Sequence, residues 1–376
     1  MIKTNKKWLW LIFPLLFLLF IFQTTVSTVK QMDFSKGMNL NGWFVWQFGN
    51  NSLTFYNEND AKQLKNLGFT YVRIPVDPDY IWDYENDQLM HMSEIKRAID
   101  INNSQGLAVT LDLHPTETIT DKQNDPSTKR EMYSLWSALS KELKNYPSDQ
   151  LSFELFNEPN FTNYNAWRDF MDKSIKAVRE NDSKRTLLIN SNTFSHLETL
   201  VSSEPFSDNN LVYVFHFYNP FVFTHQGWQW WEESPVKELR NIPYPTSPEM
   251  VAPLLQELSP EAQSMLKWYG SEKWNQQKIE QQIMQVVKWR DQHQTKVIMN
   301  EFGAYKQYAK PEDRNAWIHD VRTTVEKYNI GWAFWSYDDN QFGLFSSRSS
   351  VTGERSIDKE TSQALGLDVN RNEKKR

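Results

Sequence analysis

Cysteine is absent from this 376-residue chain. That excludes disulfide cross-links, thiol catalysis and metal sites built on thiolates, so stability must come from a large packed core. Other signatures are missing as well. The chain has no GxGxxG turn of a dinucleotide fold, no GxSxG elbow of a serine hydrolase and, although it holds seven histidines, no HExxH pair of a zinc peptidase. No Lys/Arg block interleaves with aromatic residues, and the formal net charge is −6, so the electrostatic footprint of a nucleic-acid binder is missing. A neutral or small partner, acted on without a cofactor or metal by a monomer, is the expectation. No stretch between residues 33 and 367 reads as a domain linker, and no internal repeat at a fixed period is present.

What the chain has in excess is aromatic surface. Aromatic residues make up 14 % of it, with Trp 16, Tyr 15 and Phe 23, more than core filling calls for and suited to stacking on the flat apolar faces of sugar rings. At the N-terminus, Lys3, Lys6 and Lys7 precede an uninterrupted apolar run from Trp8 to Phe22, with small residues at Thr25, Ser27 and Thr28. The run is short for a bilayer span, which needs about 20 residues, and fits the core of an export signal. Residues 1–28 are expected to be a cleaved signal peptide or, failing cleavage, a membrane tether through residues 8–22. Removing them takes the formal charge from −6 to −9, because they contain three lysines and no acid.

From residue 33 onward, short runs rich in β-branched and aromatic residues alternate with stretches of helical period. Eight strands are expected, at 36–43, 70–76, 107–114, 151–158, 186–192, 211–218, 296–303 and 331–337. Between them lie segments such as "ENDAKQLKNLG", with an acidic first turn and a glycine at its end. Repeated strand–helix units point to a single-domain α/β protein, a closed (β/α)₈ barrel spanning residues 33–367. An open doubly wound sheet is the rival, disfavoured by the missing glycine-rich turn after the first strand. The charged end at 368–376 reads as a disordered tail.

In such a barrel the C-terminal ends of the strands open into one pocket. Those ends supply Arg73, Asp112, His114, Asn157, Glu158, His216, Tyr218, Glu301 and Trp335, nearly all polar and each directly after an apolar run. Turns draw on Gly, Asn, Asp and Pro and seldom collect an Arg, two His, two Glu and a Tyr. Glu158 and Glu301, at ends four and seven, are the minimum apparatus for cleaving an acetal: one carboxyl protonates the leaving oxygen and the other attacks or stabilises the anomeric carbon. Competing readings are a helix-capping carboxylate for either glutamate, a barrel-closing ion pair for Arg73 and hydrogen-bonded packing for the histidines. Asp112 shares a strand face with His114 and reads as a group that orients its neighbour.

The motifs "RIPV", "HP", "NEP", "HFY", "NEFG" and the tryptophan of "GWAFWSY" occur at successive strand ends, and together they resemble glycoside hydrolase family 5, the cellulase-type retaining hydrolases. The resemblance runs from about Gly37 to Leu367. It implies a (β/α)₈ barrel without an essential metal, acting on a β-linked polysaccharide or oligosaccharide, with an endo-β-1,4-glucanase as the leading expectation. Mannanase, β-1,3-glucanase and transglycosylase activities share the scaffold, and a non-catalytic glycan-binding protein is the alternative of another class. Residue by residue, the resemblance makes Glu158 the general acid/base, Glu301 the nucleophile and Asn157 the partner of the sugar 2-hydroxyl. It places Arg73 and Tyr218 around the nucleophile, His216 beside the acid/base, His114 on the sugar and Trp335 beneath the sugar under attack.

Two aromatic groups stay open between glycan platform and packing. Trp43 and Trp46 follow the first strand, and Trp228, Trp230 and Trp231 cluster in a long aromatic-rich insertion after strand six, residues 219–296. Trp43 and Trp228 are carried forward as candidate substrate-binding residues. His225 and Gln226 lie in the same insertion with no local signal to place them. No Ser/Thr/Pro-rich linker leads to a separate carbohydrate-binding module, so action on crystalline fibres is not expected.

Overall fold

Each expected apolar run forms a strand, shortened where its polar end leaves the ladder. The strands are β1 (Lys36–Asn39), β2 (Tyr71–Val76), β3 (Ala108–Leu113), β4 (Leu151–Glu154), β5 (Leu187–Asn190), β6 (Leu211–Phe217), β7 (Val297–Phe302) and β8 (Gly331–Phe334). They come from a computed structural model that describes residues 31–46, 55–230, 233–349 and 352–368. The N-terminal segment 1–28, Trp231 and the tail beyond residue 368 lie outside the described residues.

The eight strands pair in parallel in chain order and close on themselves, with Lys36 of β1 opposite Trp332 of β8. Helices follow the strands: α1 (Glu58–Leu67), α2 (Met92–Ser104), α3 (Pro126–Leu143), α4 (Tyr164–Arg179), α5 (Leu197–Val201), α6 (Gln276–His293), α7 (Pro311–Lys327) and α8 (Lys359–Ala364). This is the (β/α)₈ barrel. Local sequence sets the helix limits. Asn57 and Asp60 form a reciprocal capping box at the start of α1, and Gly68 ends it at φ 98°, a left-handed conformation that suits a residue without Cβ.

Strand alternation divides the side chains into two sets. One set packs against the helices, as do Val72, Ile74, Leu111 and Phe153 in the main core. The other turns into the barrel, where Thr110 and Ser152 share a 2.9 Å hydrogen bond between β3 and β4. Above that pair the interior is charged and polar, with Asn39, Arg73, Asp112, Glu154 and Asn300 all fully buried. Such a layer is stable only if its charges are paired, and it fixes where the site sits.

Much of the insertion after β6 is packing. Val236, Leu239, Ile242, Tyr244, Leu266, Tyr269 and Trp274 are buried in the main core, and the helix Pro260–Glu272 contributes two of them. Its first part reaches the barrel mouth, where His225 meets Tyr218. Among the described residues, no helix is long and apolar enough to cross a membrane.

Candidate active site

Glu158 and Glu301 arrive at the mouth from β4 and β7 and face each other there. One carboxylate oxygen of each, together with a ring nitrogen of His216, lie within 4.8 Å of one another. Glu158 adopts φ 44°, a left-handed conformation that is uncommon for a residue with a long side chain and costs on the order of 1–3 kcal/mol. The flanking Phe156 and Pro159 are buried, and they hold the turn in place.

Arg73 organises the floor. Its Nη1 donates to Glu301 Oε1 at 2.6 Å and to Asn39 Oδ1 at 2.9 Å. Its Nε and Nη2 grip Glu154 at 2.7 and 2.9 Å, and Nη2 also reaches Asn157 Oδ1 at 2.7 Å and Asp112 Oδ2 at 2.9 Å. The other oxygen of Glu301, Oε2, accepts from the Tyr218 hydroxyl at 3.0 Å. Burial raises the Glu301 carboxyl above its usual range despite the nearby His216 and Arg73. Both of its oxygens nevertheless accept from fixed donors, so the form that this geometry serves at neutral pH is the carboxylate. Burial and Glu301 together push the Tyr218 phenol far up, which keeps it a neutral donor.

His216 links the two acids, with Nδ1 2.8 Å from Glu158 Oε1 and 3.5 Å from Glu301 Oε2. Burial disfavours the imidazolium, but Glu301 and Glu158 outweigh it and raise its pKa. In turn, burial would raise the Glu158 carboxyl, but the hydrogen bond and charge of His216 hold it below the usual range. The pair shares a proton along one short bond. The contrast with Glu301 comes from the nearest partners: His216 hydrogen-bonds Glu158 at 2.8 Å but stands 3.5 Å from Glu301, whose oxygens accept from Arg73 and the Tyr218 phenol.

His114 continues the network on the other side. Its Nδ1 is 2.8 Å from Asp112 Oδ2 and its Nε2 is 3.3 Å from Asn157 Nδ2. Burial and Arg73 lower its pKa to about 4. It is therefore a neutral imidazole, with Nδ1–H donated to Asp112 and Nε2 accepting from Asn157. Its ring stacks on Trp335 at 6.0 Å and 16°, and Trp46 meets both rings edge-on at 5.4 and 6.3 Å. Glu158, His216 and Glu301 are also the donor set that would hold a divalent ion among the described residues. The oxygens of Glu301 are already engaged by Arg73 and Tyr218, and the adjacent guanidinium charge disfavours a second cation there.

Arg73, His114, Asn157, Glu158, His216, Tyr218, Glu301 and Trp335 are thus brought together. Trp43 is not. Only 3 % of it is exposed, and its ring stacks on Phe44 at 4.9 Å and packs on Tyr56 at 5.1 Å, so it is core filling. The chain leaves β1 and turns at Gly42, and the exposed aromatic that reaches the mouth is Trp46, 46 % accessible. Trp228 is half-buried, 4.5 Å from His225, and stacks on Trp230, which in turn lies 6.4 Å from Trp46. Loops after β1 and β6 therefore join in one aromatic rim. His225 presents its ring edge to Tyr218 at 5.2 Å, whereas Gln226 is structural and accepts from the Ile242 backbone.

Sequence reading passed over Asn39, Glu154 and Asn300. The available signal was a polar residue inside an expected apolar run, as with Glu154 between Phe153 and Leu155 in "LSFELF" and Asn300 after Met299 in "VIMNEF".

A family model described as Cellulase (glycosyl hydrolase family 5) matches residues 28–341. The chain belongs to glycosyl hydrolase family 5. It is a glycosidase, and its substrate is a glycan. Among its relatives, Endoglucanase C of Acetivibrio thermocellus is 29 % identical over 343 residues, covering 86 % of this chain and 97 % of that protein. Endoglucanase 3 of Fibrobacter succinogenes is 25 % identical, covering 85 % of this chain and 51 % of that protein. Among solved structures, endoglucanase Cel5A from the hyperthermophilic Thermotoga maritima superposes with a TM-score of 0.72 at 24 % identity, covering 88 % of this chain and 97 % of that one. Subunit Z of the clostridial cellulose synthase (CcsZ) from Clostridioides difficile gives 0.70 at 23 %, covering 89 % and 99 %. At these identities the structural likeness establishes the fold.

Proposed function

We propose that this family 5 glycosidase is an endo-β-1,4-glucanase that cleaves by double displacement with retention, Glu301 acting as nucleophile and Glu158 as acid/base. The separation of the two carboxylates carries the reading. One oxygen of each carboxylate lies within 4.8 Å of the other, which suits a retaining pair, for which about 5 Å is expected, better than an inverting pair set ~6.5–9.5 Å apart to admit a water. The glucan substrate rests on the relatives, which are named endoglucanases, and the β-1,4 linkage on the family resemblance of the strand-end motifs.

In the first step Glu301 attacks the anomeric carbon while the proton shared by Glu158 and His216 passes to the leaving oxygen. Asn157, held by Arg73 and His114, meets the 2-hydroxyl, a contact that strengthens as the ring flattens. Ester formation then removes the negative charge on Glu301. With that like charge gone, the Glu158 carboxyl becomes a stronger acid and remains ionised, ready to deprotonate the incoming water. Trp335 stacks beneath the reacting sugar, and Trp46, Trp228 and Trp230 extend the apolar surface along the chain.

We also propose that the catalytic domain is exported, on the strength of Lys3, Lys6 and Lys7 ahead of the Trp8–Phe22 run.

The test is a side-by-side product profile on β-1,4-glucan, β-1,3-glucan, mannan and xyloglucan, with the first-formed anomer followed by proton NMR. Soluble oligosaccharides from β-1,4-glucan, released as the β-anomer, are expected. Initial release of the α-anomer would overturn the mechanism, and preferential cleavage of another glycan would overturn the substrate.

A further inference from the structure

We propose that Glu154 is a positioning residue of the hydrolytic site: its carboxylate fixes the plane of the Arg73 guanidinium and, through it, the carboxylate of Glu301 and the amide of Asn157. The inference rests on the roles proposed above for those two residues.

Glu154 is fully buried on β4, and its side chain ends beneath Arg73. Its two oxygens accept from Nε and Nη2 of Arg73 in a parallel fork, which is the strongest and most directional pairing open to a guanidinium. A planar group held along one edge cannot tilt without breaking both bonds. Arg73 has five N–H groups. With the Nε edge and one Nη2 hydrogen committed to Glu154, both Nη1 hydrogens are left for Asn39 and Glu301, and the last Nη2 hydrogen faces Asn157 and Asp112.

This arrangement keeps Arg73 from forming a fork with Glu301. Such a fork would engage both carboxylate oxygens and quench the nucleophile. As built, Glu301 receives a single guanidinium hydrogen on Oε1, and its second oxygen goes to Tyr218.

Glu154 is itself anchored beside the residue it serves. Asn300 Nδ2 donates to Glu154 Oε2 at 2.8 Å, and the Asn300 carbonyl accepts from Asn39 Nδ2 at 3.0 Å. Asn300 immediately precedes Glu301. The network therefore closes on the backbone that carries the nucleophile. Although burial opposes it, the charge and hydrogen bonds of Arg73 hold the Glu154 carboxyl below its usual range, so it is a permanent anion.

Glu154→Gln keeps the shape and removes the charge and half of the fork, and Glu154→Asp keeps the charge and withdraws it by one methylene. On β-1,4-glucan, Glu154→Gln is expected to lose kcat on the order of 100-fold with KM unchanged, because a misplaced nucleophile is felt in the transition state. The Arg73 charge, no longer offset by the Glu154 carboxylate, also favours the ionised form of Glu301, so the acid limb of kcat/KM moves to lower pH. The other groups facing Glu301, namely Arg73, His216, Glu158, His114 and Tyr218, are the same in both proteins. Glu154→Asp is expected to leave the acid limb in place and to lose less kcat.

A loss of kcat that merely tracks the melting temperature, with the acid limb unmoved, would mean that Glu154 is structural and would overturn the proposal. If Glu154→Gln does not fold, Glu154→Asp decides: reduced kcat with unchanged KM supports the proposal, and wild-type kcat overturns it. If the wild type cleaves no glycan, the catalytic reading fails separately. The titration of Glu301, followed by NMR on protein carrying ¹³C-carboxyl glutamate, still reads the positioning: a lowered midpoint in Glu154→Gln supports it and an unchanged one overturns it.

Discussion

His216 Nδ1 and Glu158 Oε1 stand 2.8 Å apart, and their pKa values move in opposite directions, the imidazole up and the carboxyl down. A raised histidine contributes stability that is complete below its unfolded value of about 6.5 and is lost as pH rises through the folded one. A depressed carboxyl contributes stability present above about 4.5 and lost as pH falls through its folded value. The pair is therefore worth most between those limits. The gap in melting temperature between wild type and His216→Ala should be widest near pH 5–6 and should close on the alkaline side; a gap independent of pH would refute a charged pair.

Glu301→Ala should abolish turnover of every glycan that the wild type cleaves. Glu158→Ala should slow natural substrates by roughly 10²–10⁴-fold, the usual worth of a general acid. On aryl glycosides whose leaving group needs no proton, the first step should survive and the glycosyl-enzyme should accumulate, visible as a burst of the phenol. Equal losses on both substrate types would take the acid role away from Glu158.

The two tryptophans after β1 should behave as different kinds of residue. Trp43→Ala empties a buried site and should cost about 3–5 kcal/mol of stability, read by chemical denaturation, with little change in KM in the folded fraction. Trp46→Ala, and Trp230→Ala with 59 % of its surface exposed, should leave the melting temperature unchanged and raise KM on long glucans more than on short aryl glycosides. Identical KM ratios on both substrates would remove the platform role.

Gly303 follows Glu301 by two residues, and a Cβ there would lie 2.4 Å from the backbone oxygen of Trp335 and 3.2 Å from Phe342. Backbone cannot yield as a flexible side chain can. Gly303→Ala should therefore displace the Trp335 indole and lower kcat/KM more than a surface Gly→Ala such as Gly353→Ala, which meets open space but sits at φ 69°. Both variants incur some loss of stability, so the comparison is made on activity at a temperature where both are folded.

Much of the barrel was legible because its signals are local. An apolar run of β-branched and aromatic residues has no stable place except a strand buried on both faces, and eight such runs alternating with amphipathic segments leave few architectures. The polar residues gathered at the mouth were legible for the same reason: a Glu or His ending an apolar run is poor turn material. Trp43 defeated that reading because a tryptophan after a strand gives the same local signal whether it faces glycan or core. Glu154 was missed because a lone carboxylate within "LSFELF" does not reveal that a guanidinium from β2 waits opposite.

The sequence by itself determined the order of strands and helices, the absence of thiol chemistry and the set of polar residues at the barrel mouth, since each depends on side-chain type and on periods of 2 and 3.6 residues. Tertiary structure decided which atoms meet. Arg73 lies 81 residues before Glu154 and 228 before Glu301, and only closure of the barrel brings one guanidinium against both. The pKa contrast between Glu158 and Glu301 belongs to that second category, because burial and charge act through distance in space and not along the chain.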